Sequence, residues 1–387
     1  MRSLLTSRMH GFETTIFAEM SALATRTGAI NLGQGFPDTD GPQEMLDAAK
    51  AAIDSGRNQY PPGPGVPELL EAVAAHQERF YGLRVDPADE VLVTVGATEA
   101  IAAVVLALCE PGDEVVTFEP YYDSYAATIA LAGATRRTSV LRFPDFAIDE
   151  ESLRAAFSDR TRLVLLNSPH NPTGKVFTRA ELELVADLAR RHDAWVVTDE
   201  VYEHLVFDDA IHVPMATLPG MAERTITISS AGKTFSATGW KVGWLTGPAE
   251  AVAAARTVKQ FLTYVGSGPF QPAVALALGL GDDVYERLAS SLQAKRDLLC
   301  NALEASGLSV ARPRGTYFVI ADAAPLGAGD GMEFARRLPD LAGVVGVPVS
   351  VFHDDQEAAR TLVRFAFCKR DEVLVEASRR LAEAGRR

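Results

Sequence analysis

The sequence predicts an α/β protein, in which a mainly parallel β-sheet carries helices on both faces and a smaller α+β unit follows. Two observations predict this fold class. From Val91 onwards, short β-branched and apolar runs alternate with helical patterns, as in successive β-α units. After about Gln271 the alternation gives way to a long helical stretch. The 387 residues also exceed the size at which one hydrophobic core keeps growing, so a second domain is expected.

Six segments of the first unit have the length and composition of buried strands. They are Val91–Val95, Glu114–Phe118, Leu163–Asn167, Trp195–Asp199, Thr225–Ser229 and Val242–Thr246. Helices are predicted between several of them, for example over Glu99–Cys109 and Arg179–Arg191. Because open α/β sheets bind ligands at the carboxyl ends of their strands, we expect the functional site at that edge.

The second unit is predicted to contain a strand pair near Leu308–Ile320, a helix, a strand near Leu362–Phe367 and a closing helix. We assign residues 41–275 to the large domain, and residues 1–40 together with 276–387 to the small domain.

The charge balance argues against polyanionic partners. Acidic residues outnumber basic residues by 51 to 37, which gives a net charge of −14. Such a surface repels nucleic acid and anionic lipid, so neither is an expected partner. The longest apolar run, Ala100–Cys109, is too short to span a bilayer, and no apolar signal-peptide core precedes His10. We therefore expect a cytoplasmic protein that binds small molecules.

The three cysteines, Cys109, Cys300 and Cys368, are widely separated and form no C-x-x-C pair. Their number and spacing support neither a disulfide framework nor a metal site. We interpret them as reduced thiols in the core.

Lys233 lies in a turn of small residues, Ser230-Ala231-Gly232-Lys233-Thr234, directly after a predicted strand. Its Gly-Lys-Thr sequence also ends a phosphate-binding P-loop, but that motif needs glycine where this chain has Thr227. A solvated surface lysine remains one interpretation. The other is an amine available for Schiff-base formation with a carbonyl compound.

Three further strand ends carry polar residues. Asp199 ends an apolar strand, where a carboxylate is either a helix cap or the partner of a buried cation. The turn from Asn167 to Lys175 places the amide of Asn171 above the sheet, and its His170 is interpreted as a structural loop histidine. The small residues at Gly96–Glu99 open a helix whose amides can bind an anion.

The order of these residues resembles that of the class I and II aminotransferases, enzymes that depend on pyridoxal 5'-phosphate (PLP). The likeness runs from the Asn31–Pro37 motif through Asn171, Asp199 and Lys233 to Arg364. It implies PLP fold type I, with a mainly parallel seven-stranded sheet sandwiched by helices in the large domain and a smaller α+β domain.

The resemblance implies a role for each matching residue. Lys233 would hold PLP as a Schiff base, and Asp199 would contact the pyridine nitrogen, which keeps the ring electron-withdrawing. Asn171 and Tyr202 would hydrogen-bond the phenolic oxygen, and Tyr122 would stack on the ring. Lys233, Asp199 and Tyr202 are the expected catalytic residues.

The resemblance also implies how the two anionic groups are bound. The PLP phosphate would contact the backbone amides of Ala97 and Thr98 and the side chains of Ser230 and Lys241. Tyr60 would reach the same phosphate from a neighbouring subunit, so a homodimer is expected. Arg364 would bind the substrate carboxylate as a bidentate fork, and Gly35 and Asn171 would line the same pocket.

Two departures place the chain within the family. Lys241 stands where aspartate aminotransferase-like members carry arginine. A lysine at this position is similar to the kynurenine/glutamine transaminase branch. That branch has an aromatic residue and a histidine where this chain has Gly266–Gly268. The segments Thr14–Ser21 and Tyr264–Gln271 are more similar to bacterial N-succinyldiaminopimelate aminotransferase-type proteins.

The resemblance implies transfer of an amino group from an L-amino acid to a 2-oxo acid, 2-oxoglutarate or pyruvate, by a ping-pong mechanism. N-succinyl-LL-2,6-diaminopimelate is the first expected donor, with aromatic or sulfur amino acids second, because Gly266–Gly268 should leave room beside Arg364. A PLP β-lyase acting on cysteine S-conjugates or cystathionine-type substrates would use the same residues. A PLP-sensing transcription regulator is the remote alternative, against which the negative charge argues.

Overall fold

The computed structural model describes residues 4–12 and 15–385. The remaining positions, 1–3, 13, 14, 386 and 387, fall in segments assigned above to the small domain and lie outside the described residues. They include Thr14, the first residue of one segment used for the family comparison.

The strands are β1 (Ile30–Asn31), β2 (Val91–Val95), β3 (Glu114–Glu119), β4 (Thr135–Val140), β5 (Thr161–Asn167), β6 (Trp195–Asp199), β7 (Thr225–Ser230), β8 (Val242–Thr246), β9 (Ser309–Ala311), β10 (Phe318–Asp322), β11 (Val344–Val345), β12 (Val347–Pro348) and β13 (Leu362–Ala366). The α-helices are α1 (Ile16–Thr27), α2 (Gln43–Asp54), α3 (Pro67–Tyr81), α4 (Gly96–Leu108), α5 (Asp123–Ala132), α6 (Glu150–Ala156), α7 (Arg179–Arg191), α8 (Ala231–Thr234), α9 (Ala249–Leu262), α10 (Phe270–Leu278), α11 (Asp282–Ala305), α12 (Gly331–Ala342) and α13 (Asp371–Ala384).

A seven-stranded sheet of order β2-β8-β7-β6-β5-β3-β4 forms the centre of the large unit. Strands β3 to β7 pair in parallel, and β8 runs antiparallel to both β7 and β2. The predicted mainly parallel sheet is therefore confirmed. The sequence analysis identified six of these strands and missed β4, an edge strand whose sequence, TRRTSV, lacks an apolar run.

Alternate residues of the central strands face two separate helical layers. Leu163 and Leu165 of β5 pack in a cluster with residues of α4, α5 and α9. Val164 and Leu166 pack on the opposite face with residues of α7 and of the C-terminal unit. Both faces of the sheet are thus covered, which explains why β5 is a nearly continuous apolar run.

The C-terminal unit has an antiparallel sheet of order β12-β13-β10-β9. The predicted strand pair near Leu308–Ile320 corresponds to β9 and β10, and the predicted strand near Leu362–Phe367 corresponds to β13. The two-residue strand β1 pairs in parallel with β11, which brings the N-terminal segment against this unit. The domain boundaries at residues 40/41 and 275/276 stay a prediction.

A polar cluster joins α3 to the loop that follows β6. The Nε2 atoms of His76 and His204 lie 2.7 Å apart. The buried carboxylate of Glu203 accepts hydrogen bonds from Tyr81 Oη and Ser229 Oγ, each at 2.6 Å. These contacts fix the backbone immediately after Tyr202.

Two further expectations can be compared with the structure. Cys109, Cys300 and Cys368 are all free and buried, as predicted. Among the described residues, no helix is both long enough and apolar enough to cross a membrane.

Candidate active site

Polar residues end three adjacent parallel strands. Asn167 ends β5, Asp199 ends β6 and Ser230 ends β7, and Asn167 and Asp199 are paired in register. A cavity of about 320 Å³ opens at this edge. It is lined by every residue predicted for the site except Tyr60: Gly35, Ala97, Thr98, Tyr122, Asn171, Asp199, Tyr202, Ser230, Lys233, Lys241 and Arg364.

Asp199 is buried at the base of this cavity. Its Oδ2 accepts a hydrogen bond of 2.6 Å from Tyr125 Oη, and its Oδ1 faces the amide of Val201 at 3.4 Å. Burial raises the pKa of Asp199, while these two contacts and the nearby Lys233 ammonium oppose the rise. A cation placed against Asp199 would therefore relieve the cost of its burial.

Asn167, which the sequence analysis did not select as a site residue, positions two that it did. Its Nδ2 donates to the carbonyl of Asp199 at 2.7 Å, and its Oδ1 accepts from the amide of Asn171 at 2.6 Å. Its position at a strand end was the only signal in the sequence. Tyr125 gave no signal, because it lies within the apolar face of α5.

Lys233 lies in the one-turn helix α8, directly after β7. Burial lowers the pKa of its ammonium group, so this lysine loses its proton more readily than a solvated one. Its Nζ donates a 3.1 Å hydrogen bond to Tyr317 Oη and lies 5.8 Å from the centre of the Tyr202 ring. The interpretation of Lys233 as a solvated surface lysine is therefore wrong.

The anion-binding end of the cavity forms where β2 and β8 meet. Because β8 is antiparallel to β2, its first residue, Val242, pairs with the last residue of β2, Val95. Lys241 thus lies beside the first turn of α4, where the backbone amides have no partner within the helix. Lys241 adopts a left-handed conformation with φ of 54°, which is uncommon for a non-glycine residue and typical of functional sites.

Two glycines allow this close approach. Gly96 has a φ of 72°, so it turns the chain from β2 into α4. A Cβ at Gly243 would lie 2.6 to 2.8 Å from the backbone of Gly96 and Ala97. Helix α4 starts at Gly96, three residues earlier than the predicted start, and its first turn packs so closely on β8 that position 243 has no room for a side chain.

Arg364 crosses the other end of the cavity from β13. Its Nη2 donates to the carbonyl of Gly33 at 2.8 Å and its Nη1 to Asn171 Oδ1 at 3.2 Å. Burial lowers the pKa of Arg364 to about 10, which leaves the guanidinium charged at neutral pH. Its buried Nε has no hydrogen-bond partner among the described residues, so a donor remains for a bound carboxylate.

Tyr60 is 81% exposed and does not line the cavity of its own chain. It packs edge-on against Tyr264 and shares a separate recess with Gly266–Gly268. Those glycines therefore do not line the cavity of Arg364 within the same chain, and the space that they were expected to leave for a long substrate stays a prediction. Their lack of side chains has a local cause: a Cβ at Gly266 would lie 2.7 Å from Val95, and one at Gly268 would lie 3.1 Å from the carbonyl of Gln59.

The cavity has the opposite charge to the whole chain. Three cations line it, Lys233, Lys241 and Arg364, against the single carboxylate of Asp199. The net charge of the chain is −14. This local excess of positive charge suits a ligand with two anionic groups at its two ends.

Comparison with known proteins decides the family. The family model described as aminotransferase class I and II matches residues 27–381. The chain belongs to this family. The enzyme is accordingly a PLP-dependent aminotransferase of fold type I.

Three relatives and one solved structure are similar to this aminotransferase. A Mycobacterium tuberculosis protein described as probable N-succinyldiaminopimelate aminotransferase is 55% identical over 97% of both chains. A solved structure described as N-succinyldiaminopimelate aminotransferase from that organism covers 98% of this chain and 100% of its own, with a TM-score of 0.95. The methionine aminotransferase of Escherichia coli is 41% identical over 97% of both chains. The mouse kynurenine–oxoglutarate transaminase 3 is 38% identical over 95% of this chain and 87% of its own.

The residues of this aminotransferase fit PLP. The buried Asp199 needs a cation, which a protonated pyridine nitrogen provides. Lys241 and the first turn of α4 surround a cradle suited to a phosphate, and Lys233 supplies a buried amine.

Proposed function

We propose that this aminotransferase uses N-succinyl-LL-2,6-diaminopimelate as its preferred amino donor and 2-oxoglutarate or pyruvate as acceptor. The observation that carries the site assignment is the excess of three cations over one carboxylate in a cavity that also contains a buried amine. The 55% identity to a relative described by that substrate supports the choice of donor.

In the proposed assignment each charged group of the cavity has one partner. Asp199 would hold a proton on the pyridine nitrogen, Asn171 and Tyr202 would hydrogen-bond the phenolic oxygen, and Tyr122 would pack on the ring. Ser230, Lys241 and the amides of Ala97 and Thr98 would bind the phosphate. Bound PLP supplies an electron sink for the bond that breaks at the substrate α-carbon.

Arg364 binds the substrate α-carboxylate, with Gly35 and Asn171 beside it, and so directs the α-carbon towards Lys233. The amine Nζ of Lys233 would accept the proton from that carbon and later return it. The lowered pKa of Lys233 favours the neutral amine, which is the form that can accept it.

Peptide mapping tests this assignment. After borohydride reduction of the PLP-loaded protein, mass spectrometry should find the phosphopyridoxyl group on Lys233. A label on any of the other lysines, such as Lys241 or Lys259, would overturn the assignment.

A panel of donors tests the substrate. We expect kcat/KM to be highest for N-succinyl-LL-2,6-diaminopimelate, ahead of methionine, phenylalanine, kynurenine and glutamine. Contacts with polar substrate groups discriminate far more strongly than contacts with apolar chain length, so the succinyl carboxylate should give the larger preference. A higher kcat/KM for aspartate than for all five would contradict the proposal, and release of pyruvate from cysteine S-conjugates without an oxo acid would identify a β-lyase.

We also propose that the enzyme works as a cytoplasmic homodimer. The exposure of Tyr60 and its absence from the lining of the cavity of its own chain support a role in a neighbouring subunit. Three free cysteines are consistent with a reducing compartment.

A further inference from the structure

Tyr317 contacts Lys233, although no sequence pattern identified it. It lies directly before β10, its side chain is buried, and only 1% of the residue is exposed. Its hydroxyl group lies 3.1 Å from Lys233 Nζ and 2.8 Å from the carbonyl oxygen of Gly35, and it also hydrogen-bonds the side chain of Tyr202.

The donors and acceptors present assign a direction to these hydrogen bonds. A carbonyl oxygen only accepts, and the contact with Gly35 is shorter than the contact with Lys233, so the single hydroxyl proton of Tyr317 is assigned to Gly35. Tyr317 Oη can then only accept from Lys233, and Lys233 must donate one of its N–H groups to it. When the neutral amine of Lys233 donates an N–H group to Tyr317 Oη, its lone pair points away from Tyr317.

The surrounding rings hold this arrangement in place. The rings of Tyr202 and Tyr317 are nearly perpendicular, with centres 5.2 Å apart. Lys233 Nζ lies 5.8 Å from the first ring centre and 5.7 Å from the second. Two buried aromatic side chains thus limit the positions that the lysine side chain can occupy.

The same segment also connects Lys233 to the carboxylate-binding end of the cavity. The Phe318 ring packs so closely on Gly35 that a Cβ there would lie 2.2 Å from Phe318 Cε1. The guanidinium group of Arg364 lies over that ring, 4.2 Å from its centre. Neighbouring residues of one strand end therefore position both the amine and the arginine.

We propose that Tyr317 is a positioning residue that holds the amine of Lys233 whenever this lysine is not bonded to the cofactor. Through its bonds to Lys233 and Gly35, it directs the nitrogen lone pair into the cavity, towards the substrate α-carbon. This inference rests on the proposed role of Lys233. Tyr317 itself neither gains nor loses a proton, and the proton that Lys233 accepts is the one that it returns.

The test uses Tyr317→Phe, which keeps the ring and removes only the hydroxyl group. The matched control is Tyr285→Phe, because Tyr285 is also buried and donates to a backbone carbonyl, that of Leu278, outside the cavity. Thermal unfolding of both variants measures the general cost of losing a buried hydroxyl group.

The first measurement needs no cofactor. In the apo-protein, reductive methylation of Lys233 is followed against pH by mass spectrometry. Because Tyr317 Oη stabilises the ammonium form more than the neutral amine, its loss should move the inflection of labelling to lower pH by about one unit. Replacing Tyr317 by 3-fluorotyrosine, whose oxygen is a weaker acceptor, should give a smaller shift in the same direction, and this variant serves if Tyr317→Phe does not fold.

The second measurement uses the PLP-loaded enzyme. We expect Tyr317→Phe to lower kcat about tenfold while KM changes less than twofold, because the substrate is still held by Arg364. If the inflection and kcat of Tyr317→Phe equal those of Tyr285→Phe, the inference is overturned. Borohydride mapping distinguishes failure of this inference from failure of the proposed function. If PLP is found on Lys233 and Tyr317→Phe behaves like Tyr285→Phe, only the role of Tyr317 is contradicted. If PLP is found on another lysine, the proposed function is contradicted as well.

Discussion

At the residue scale, the site depends on ionisable groups whose burial disfavours their charged forms. Burial raises the pKa of Asp199 and lowers the pKa values of Lys233 and Arg364, so each of these groups is held in an environment that disfavours its ion. Opposite charges on a bound ligand offset this cost. The same groups that are costly in the apo-protein are therefore those to which we assign the binding of cofactor and substrate.

The first prediction concerns Asp199→Asn. The amide keeps the shape of the side chain but cannot hold a proton on the pyridine nitrogen, so the electron-withdrawing power of the ring falls. Loss of a charge-assisted contact alone costs about 1.5 to 3 kcal/mol, or about 10- to 150-fold in rate. We expect kcat to fall by more than about 100-fold, with the far-ultraviolet circular dichroism spectrum unchanged. A variant with near wild-type kcat would show that Asp199 serves only as a structural cap.

At the scale of secondary-structure elements, the reversed direction of β8 builds the end of the cavity where we propose that the phosphate binds. The parallel strands deliver residues at their carboxyl ends, whereas β8 delivers Lys241 at its amino end to the same edge. The contact between β8 and α4 therefore determines the distance from Lys241 to the first turn of the helix.

The second prediction concerns Gly243→Ala. Its added methyl group would meet the backbone of Gly96 and Ala97, so the start of α4 must move away from β8. Overpacking of this kind costs about 1 to 3 kcal/mol of stability. We expect a lower Tm and several-fold weaker binding of PLP to the apo-protein, measured by fluorescence titration.

Gly239→Ala is the matched control, because an added Cβ there meets no atom within 4 Å. It should leave both the Tm and the affinity for PLP within error of the wild type. Equal behaviour of the two variants would show that the β8–α4 contact does not shape the phosphate site.

Sequence reasoning located those elements and residues that have a local signature. Strands buried on both faces form apolar runs, and polar residues at their ends mark the site, as with Asp199 and Lys233. The edge strand β4 has no such run, since only one of its residues is buried. Tyr125 and Tyr317 read as ordinary core residues, because their roles arise from partners 74 and 84 positions away in the chain.

At the scale of the whole molecule, the cavity of one chain lacks Tyr60. The recess that contains Tyr60 and Gly266–Gly268 is separate from the cavity of the same chain, so these residues could affect only the site of a neighbouring subunit. The proposed dimer would place this recess against the neighbouring site.

The third prediction follows from that arrangement. If Tyr60 serves the neighbouring subunit, the variants Lys233→Ala and Tyr60→Ala should each be nearly inactive alone. Mixing them under conditions of subunit exchange should restore activity, because each hybrid dimer contains one site with both native residues. We expect about a quarter of wild-type activity per subunit after full exchange, measured by a steady-state assay. A mixture no more active than its components would place Tyr60 and Lys233 in the same subunit's site.

The histidine contact between α3 and the loop after β6 also links folding to proton uptake. Burial lowers the pKa values of His76, His170 and His204, the latter two to about 3. The ordinary pKa of histidine is 6.5, so these imidazoles must lose their protons when the chain folds in mildly acidic solution. Above pH 6.5 they are neutral in both states, and no stability is lost. As the pH falls below 6.5, the unfolded chain takes up protons that these folded-state imidazoles do not, so the stability of the fold decreases. Mild acidification should therefore loosen the segment behind Tyr202 well before the carboxylates of the surface take up protons.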